Sequence, residues 1–315
     1  MPVRTILELR ARVRRILRER FDARGYLEVD TPVLAAEVLP EAHIDPLVVP
    51  LAGQPPRWLQ ASPENLMKRL LAAGSGPIYQ FAHAFRAGER GPQHDVEFLL
   101  LEWYAPGATL LEVAELLAEL CGAVLGTSSL ERVTCADAFT KHAGVNPITA
   151  STTELLAAAV RTGCQLPEGL TLIPEADQRD RAFEVLLSEV VQPRLGHAAP
   201  TMLEAWPASQ AAFARLDPAD PATARRFELF VAGVELVNGW EEETGRELLT
   251  NRIAAANAAR QSGGRPGLPT PQRLLDAHGP QMPAGVGAAM GFDRLVMLVA
   301  HADTIDAVRC FPDGG

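Results

Sequence analysis

The stretch from Phe85 to Tyr104, FRAGERGPQHDVEFLLLEWY, constrains the fold more than any other part of the chain. Two strand-forming runs flank a polar turn containing Gly88, Gly91 and Pro92, a pattern that predicts a β-hairpin. Side chains two apart on a strand share a face, so Phe98, Glu102 and Tyr104 point the same way. Arg86 ends the preceding strand. A guanidinium, a ring and a carboxylate on one surface suit a nucleotide and an ammonium group together. A strand pair serving only to pack does not need that set.

Composition limits what such a site can serve. At 315 residues the chain can bury a substantial core, as one large domain or two smaller ones. No apolar run is long enough to cross a bilayer, and the start, MPVRTILELRARVRR, lacks the apolar centre of a signal peptide. Glu8 and Glu19 argue against an organelle transit peptide. Cys121, Cys135, Cys164 and Cys310 show no CxxC spacing, so they read as free or buried thiols in a reducing cytoplasm. The formal charge is −10. Residues 1–26 hold eight arginines against three acids, which leaves the remainder with 21 basic and 36 acidic side chains. A protein that grips a phosphate backbone is usually more basic. Extensive nucleic-acid binding is therefore disfavoured, although a local patch is not.

Along the chain, Ile6, Leu9, Val13, Ile16, Leu17 and Phe21 predict a helix over 4–23 with arginines on its other face. That face is either solvated or a subunit contact. YLEVDTPVL then reads as a strand closed by Pro32. In WLQASPENLMKRLLAAGSG a strand passes into a helix, with Ser62, Pro63 and Glu64 forming a helix-start signature. The plain role of Glu64 is therefore capping. Helices are expected over LLEVAELLAELCGAVLG and within 150–195, and QSGGRPGLPTP (261–271) reads as a loop with mobility.

Near the C-terminus, RRFELFVAGVELVNGWEEE predicts two strands joined at Ala232-Gly233. With a two-residue loop, residue 230 faces 235 and 228 faces 237, so Glu228 and Glu235 lie diagonally on one face. Such a pair repels unless solvated or bridged by a cation. The flanking apolar residues weaken the solvated reading, and oxygen ligands favour Mg²⁺. In GVGAAMGFDRLVMLVAHAD, small residues would let a flat ligand lie against a strand, Asp293 can cap the next helix, and Arg294 in its first turn suits a phosphate.

RGYLEVDTPVL, FRAGERG…HDVEF and GFDRL, in this order, resemble the three signature motifs of class II aminoacyl-tRNA synthetases. LEWY and GVELVNGWEEE narrow the likeness to the lysyl branch. Within PTMLEAWPASQAA, the run PASQ resembles the EpmA (GenX or PoxA) family, lysyl-synthetase paralogues that modify elongation factor P; Ala289, where lysyl synthetases usually have glycine, points the same way. The resemblance implies an α+β fold, an antiparallel sheet flanked by helices, as a single catalytic domain over 1–315. The first-motif helix starts at about residue 4, leaving no room for the N-terminal OB-fold that reads an anticodon. It implies ATP and Mg²⁺ as cofactors and a homodimer through the first helix and strand. The implied substrates are lysine or (R)-β-lysine and elongation factor P, whose shape resembles tRNA; tRNA itself is not expected as acceptor, nor is a membrane.

The same resemblance assigns residues. Arg86 would act on the α-phosphate and carboxylate, Phe98 would stack on adenine, and Arg294 would lie over the adenine or γ-phosphate. Glu89, His94, Asp95, Glu235, Leu236 and Gly291 complete the ATP set, and Glu228 with Glu235 would hold Mg²⁺. Ser62, Pro63, Glu64, Glu102, Tyr104, Asn238, Glu242 and Ala289 would receive the amino acid, with Glu242 taking the side-chain ammonium. His43, His83, His142, His197, His278 and His301 lack metal spacing and read as structural. The second motif departs from the family: Arg86-Ala87-Gly88 stands where Arg-Asn-Glu is usual, with Glu89 one position later. Asp95 and Val96 replace a usual asparagine and proline. Asp95 brings charge near a triphosphate, which needs a metal or an arginine to offset it. Three readings stay open: a ligase acting on elongation factor P, a reduced synthetase activating lysine for tRNA or another acceptor, and a catalytically weak binding paralogue.

Overall fold

Ile6, Val13, Leu17 and Phe21 recur at helical spacing, and all four are buried in the helix Val3–Ala23. The arginines beside them are not all solvated. The guanidinium of Arg10 lies 5.1 Å from the centre of the Phe292 ring, and those of Arg14 and Arg18 lie 5.1 and 5.3 Å from that of Phe81. Arg10 also reaches Asp293 at 2.6 Å, and the second oxygen of Asp293 accepts the Leu99 N–H at 2.9 Å. This corrects the capping role: no side chain caps the helix Phe292–Val299. A carboxylate buried to 4 % exposure is better satisfied by a guanidinium and an amide.

The computed structural model describes residues 2–311, which divide into two compact units. Among the described residues the first holds 2–109, 123–125 and 242–311; the second holds 110–122 and 126–241. In the first, the strands Leu27–Glu28, Ile78–Phe85, Glu97–Pro106 and Gly285–Gly291 are neighbours in that order. The first pair is parallel and the others are antiparallel. The strand expected over YLEVDTPVL is thus much shorter. Val29 N–H still bonds Tyr79 O at 2.9 Å, but Pro32 has no N–H to continue the ladder. A small sheet of Leu34–Ala35, Gln54–Leu59 and Val48–Leu51 follows.

In the second unit, Val234–Glu241, Thr223–Val231, Thr201–Pro207 and Glu131–Thr134 are neighbours in that order, antiparallel except for the last pair. The helices Cys135–Ala143, Thr152–Arg161 and Glu175–Leu186 share a core with this sheet. Phe139 stacks on Phe183 at 4.8 Å, and Phe183 meets Trp206 edge-on at 5.7 Å. The α+β class stands, with one parallel strand pair in each unit beside the expected antiparallel ones. The loop 261–271 is also less loose than expected. Arg260, 1 % exposed, donates to Pro266 O at 3.0 Å, and Asn257 exchanges two hydrogen bonds with the Leu268 backbone.

Gly196 sits where the chain crosses the strand Thr223–Val231. Its φ is +78°, and an added Cβ would overlap the Phe230 carbonyl. Left-handed backbone costs a non-glycine residue about 1–2 kcal/mol, and the overlap with main chain adds to that. Gly196→Ala is therefore expected to lower the melting temperature by more than about 5 °C, measured by calorimetry; an unchanged midpoint would contradict this packing.

Candidate active site

Arg86 follows the strand Ile78–Phe85, and its amide donates to Val96 O at 2.9 Å, closing the hairpin. Its guanidinium lies 5.0 Å from the centre of the Phe98 ring, which faces Ala84 across the ladder. It also meets Ala61 O at 3.4 Å and Glu89 at 3.8 Å. The expected pairing of arginine and ring is therefore present, with Glu89 beside it. Arg294, in the first turn of Phe292–Val299, reaches back to the hairpin turn. It donates to Gln93 O at 3.2 Å and to His94 Nε2 at 2.7 Å. A guanidinium only donates, so His94 Nε2 is the acceptor of this contact. Gly291, just before this helix, lies 3.4 Å from the Arg294 side chain for an added Cβ.

Asp95 is paired within the protein. One oxygen accepts the Val96 N–H at 2.7 Å and meets Arg90 at 3.4 Å, while the other pairs with Arg309. The offsetting arginines that its charge requires come from the turn and from the far end of the chain.

A second cluster forms around the start of the helix Glu64–Ala72. Ser62 Oγ accepts the Glu64 N–H at 3.0 Å and donates to Glu102 at 2.7 Å. Tyr104 Oη donates to the other oxygen of Glu102 at 2.7 Å. Glu64 goes beyond capping: Lys68 Nζ stands 2.6 Å from Glu64 and 2.6 Å from Glu242. Across the ladder, Gly287 faces Tyr104 and Ala289 faces Glu102. A Cβ at residue 287 would lie 2.5 Å from Tyr104 Cε1 and overlap Glu242. Only glycine admits those two side chains together there. Beside the cluster opens a narrow cleft of about 20 Å³, room for a water molecule, lined by Glu41, Gln60, Ser62 and Glu64.

The electrostatics are those of crowded buried acids. Burial, then the charge of Glu64, pushes Glu102 up to about 8 against the pull of Tyr104, Ser62 and Lys68. Burial likewise raises Glu41 to about 7, opposed first by Arg86 and assisted by Glu64 and Glu89. Burial alone would lower Lys68, but Glu242 and Glu64 outweigh it and hold Lys68 above its ordinary value.

In the second unit the register corrects one expectation. Glu235 faces Phe230 as predicted, but Glu228 faces Asn238, not Val237, because the ladder bulges between Glu235 and Val237. Leu236, buried, occupies that bulge. The bulge moves Asn238 onto the Glu228 face. Arg226 joins them, 2.5 Å from Glu228 and 3.4 Å from Asn238 Oδ1, with its guanidinium 4.0 Å from the centre of the Trp206 ring. Carboxylate and amide oxygens are the hard donors Mg²⁺ prefers. Among the described residues no group of three or more His, Cys, Asp or Glu could hold a metal. The donor set thus fits an ion that takes its remaining ligands from phosphate and water.

Within the first unit, then, Ser62, Glu64, Glu102, Tyr104, Glu242 and Ala289 come together, with Pro63 opening the helix. Arg86, Glu89 and Phe98 form an adjoining group, joined through Ala61 and Ser62. Sequence reasoning missed Lys68, although its position four residues after Glu64 on a predicted helix was a usable signal. It also missed Glu41, Arg226 and Arg309, for which no local pattern exists.

The chain matches the family model for tRNA synthetases class II (D, K and N) over residues 2–314. The elongation factor P--(R)-beta-lysine ligase of Sodalis glossinidius (strain morsitans) is 36% identical over 315 residues, covering 98% of this chain and 95% of the relative. The protein of that name from Vibrio cholerae serotype O1 is 37% identical, covering 99% and 97%. That from Yersinia enterocolitica serotype O:8 is 33% identical, covering 99% and 96%. The three motifs, the carboxylate cluster beside the stacked arginine and near end-to-end similarity agree: the chain belongs to the class II (D, K and N) tRNA synthetase family and is similar over nearly its whole length to proteins named elongation factor P--(R)-beta-lysine ligase.

Proposed function

We propose that this protein activates (R)-β-lysine or lysine with ATP and transfers the aminoacyl group to a lysine side chain of elongation factor P. The observation that carries the reading is the buried set Glu64, Glu102 and Glu242, close to the Arg86–Phe98 pair. A substrate with two ammonium groups needs several carboxylates, whereas one with a single α-ammonium does not. Glu242 and Glu64 would receive the ammonium groups, with Ser62 and Tyr104 orienting Glu102 between them.

In the first step the substrate carboxylate oxygen attacks the α-phosphorus of ATP, an O–P bond forms, and pyrophosphate leaves. In the second, the unprotonated amine of the acceptor lysine attacks the acyl carbon, an amide forms, and AMP leaves. Arg86 supports the first step by holding the carboxylate against the phosphate and meeting the charge that develops there. Phe98 offers a stacking face for adenine, and Arg294 a second guanidinium for the phosphates. Glu228 and Glu235 would hold Mg²⁺, which when bound neutralises phosphate charge. Residues 1–315 are taken to work as one catalytic domain in the cytoplasm. No described helix is long and apolar enough to cross a membrane. Exposed Val3, Leu7 and Leu27 support a homodimer through the first helix and strand.

The test of activation is ATP–pyrophosphate exchange with (R)-β-lysine, L-lysine, ornithine and leucine. Exchange dependent on a diamino acid is expected. Exchange driven equally by leucine, or none with any amino acid, would reject the reading.

A further inference from the structure

Lys68 is one of only two lysines in the chain, and its side chain is 3% exposed. It lies between the two carboxylates that the proposed function gives to the amino acid, 2.6 Å from each. A buried ammonium persists only with opposite charge beside it. The reverse dependence matters as much. Without an internal cation, Glu64 and Glu242 would face each other inside the protein, and one of them would take up a proton. Lys68 also fixes one oxygen of each carboxylate, and so sets where the other oxygen points. Close packing helps, since Gly287 admits the Tyr104 ring and Glu242 together.

We propose that Lys68 is a positioning and specificity-determining residue, an internal ammonium that keeps Glu64 and Glu242 ionised, correctly spaced and aimed at the ammonium groups of a diamino acid. Lys68 set against Glu64 and Glu242 leaves a net negative charge among these three side chains, so an incoming cation is still favoured. This rests on the proposed function and adds how the pocket is tuned. Other charged or titratable groups also act on the trio: Glu41 from the neighbouring loop, Glu102 and Tyr104 from the strand Glu97–Pro106, and His278 and Arg252 from the C-terminal helical region, themselves influenced by Glu243. They are common to all variants, so comparison with the parent protein separates their titration from that of Glu64 and Glu242.

The test is calorimetric titration of the full chain with (R)-β-lysine, L-lysine and, separately, ATP, across pH 6–9. Lys68→Met is expected to weaken diamino-acid binding by at least about tenfold at pH 7. The deficit should shrink towards pH 9 as both carboxylates regain their charge, while ATP affinity stays within about twofold. Lys68→Arg keeps the charge but not the reach. It is expected to bind the diamino acid at least about threefold more weakly with the parent protein's pH profile. If Lys68→Met does not fold, Lys68→Arg decides alone. Parent-like diamino-acid affinity in a folded variant would overturn the proposal, and so would a pH-independent loss shared equally with ATP. A parent protein that binds ATP but no diamino acid would instead overturn the proposed function itself, and this inference with it.

Discussion

Replacing Arg86 by alanine is expected to lower diamino-acid-dependent pyrophosphate exchange by about 10²–10³-fold, the usual cost of deleting one donor aimed at a transition state. The size follows from its position. Arg86 is held in place by the hairpin closure at Val96 and by the Phe98 ring, so little reorganisation is needed when charge develops. Its guanidinium also opposes the raised Glu41 carboxyl, so the variant should make Glu41 harder to ionise. Unchanged far-ultraviolet circular dichroism would show that the loss is chemical. A fall of less than about fivefold would mean that Arg86 is not at the reacting centre.

The second large effect concerns pH. Glu102 is held up to about 8 in the folded protein, first by burial and then by Glu64. In the unfolded chain it titrates near its ordinary value of about 4.3. The folded state therefore retains a proton that the unfolded state releases between these two values. Stability attributable to Glu102 is complete below about pH 4.3 and is lost as pH rises towards 8, beyond which the penalty is constant. Glu102→Gln removes the titration while leaving an amide for Ser62 and Tyr104. The variant's melting temperature relative to the parent protein should rise steadily from pH 5 to pH 8.5. Each whole pKa difference is worth about 1.4 kcal/mol, so the crossover should be easily measured. Its affinity for the diamino acid should fall over the same range, because the parent carboxylate ionises to meet an ammonium. A melting difference constant with pH would show that Glu102 is ionised throughout.

Much of this arrangement was legible before any coordinates. Alternation along 97–106 put Phe98, Glu102 and Tyr104 on one face, since a strand's period of two leaves no other choice. The first helix was readable because its apolar spacing is strict. What escaped was set by contacts between distant parts of the chain. The bulge beside Leu236 shifted Glu228 from Val237 to Asn238, and one extra residue in a ladder leaves no clear mark in a single sequence. Asp293 looked like a cap until Arg10, 283 positions away, supplied a better partner. The charge of Asp95 looked unanswered for the same reason, because Arg309 is 214 positions away. Lys68 carries no signal of its own role in the sequence beyond its spacing from Glu64. Its burial between two acids is a tertiary fact.

The most direct measurement is the intact mass of elongation factor P after incubation with this protein, ATP, Mg²⁺ and (R)-β-lysine, run beside a matched reaction containing tRNA. The account predicts that the factor gains the mass of one lysyl group, that the gain needs ATP, and that it is lost with Arg86→Ala. An unmodified factor alongside aminoacylated tRNA would contradict it.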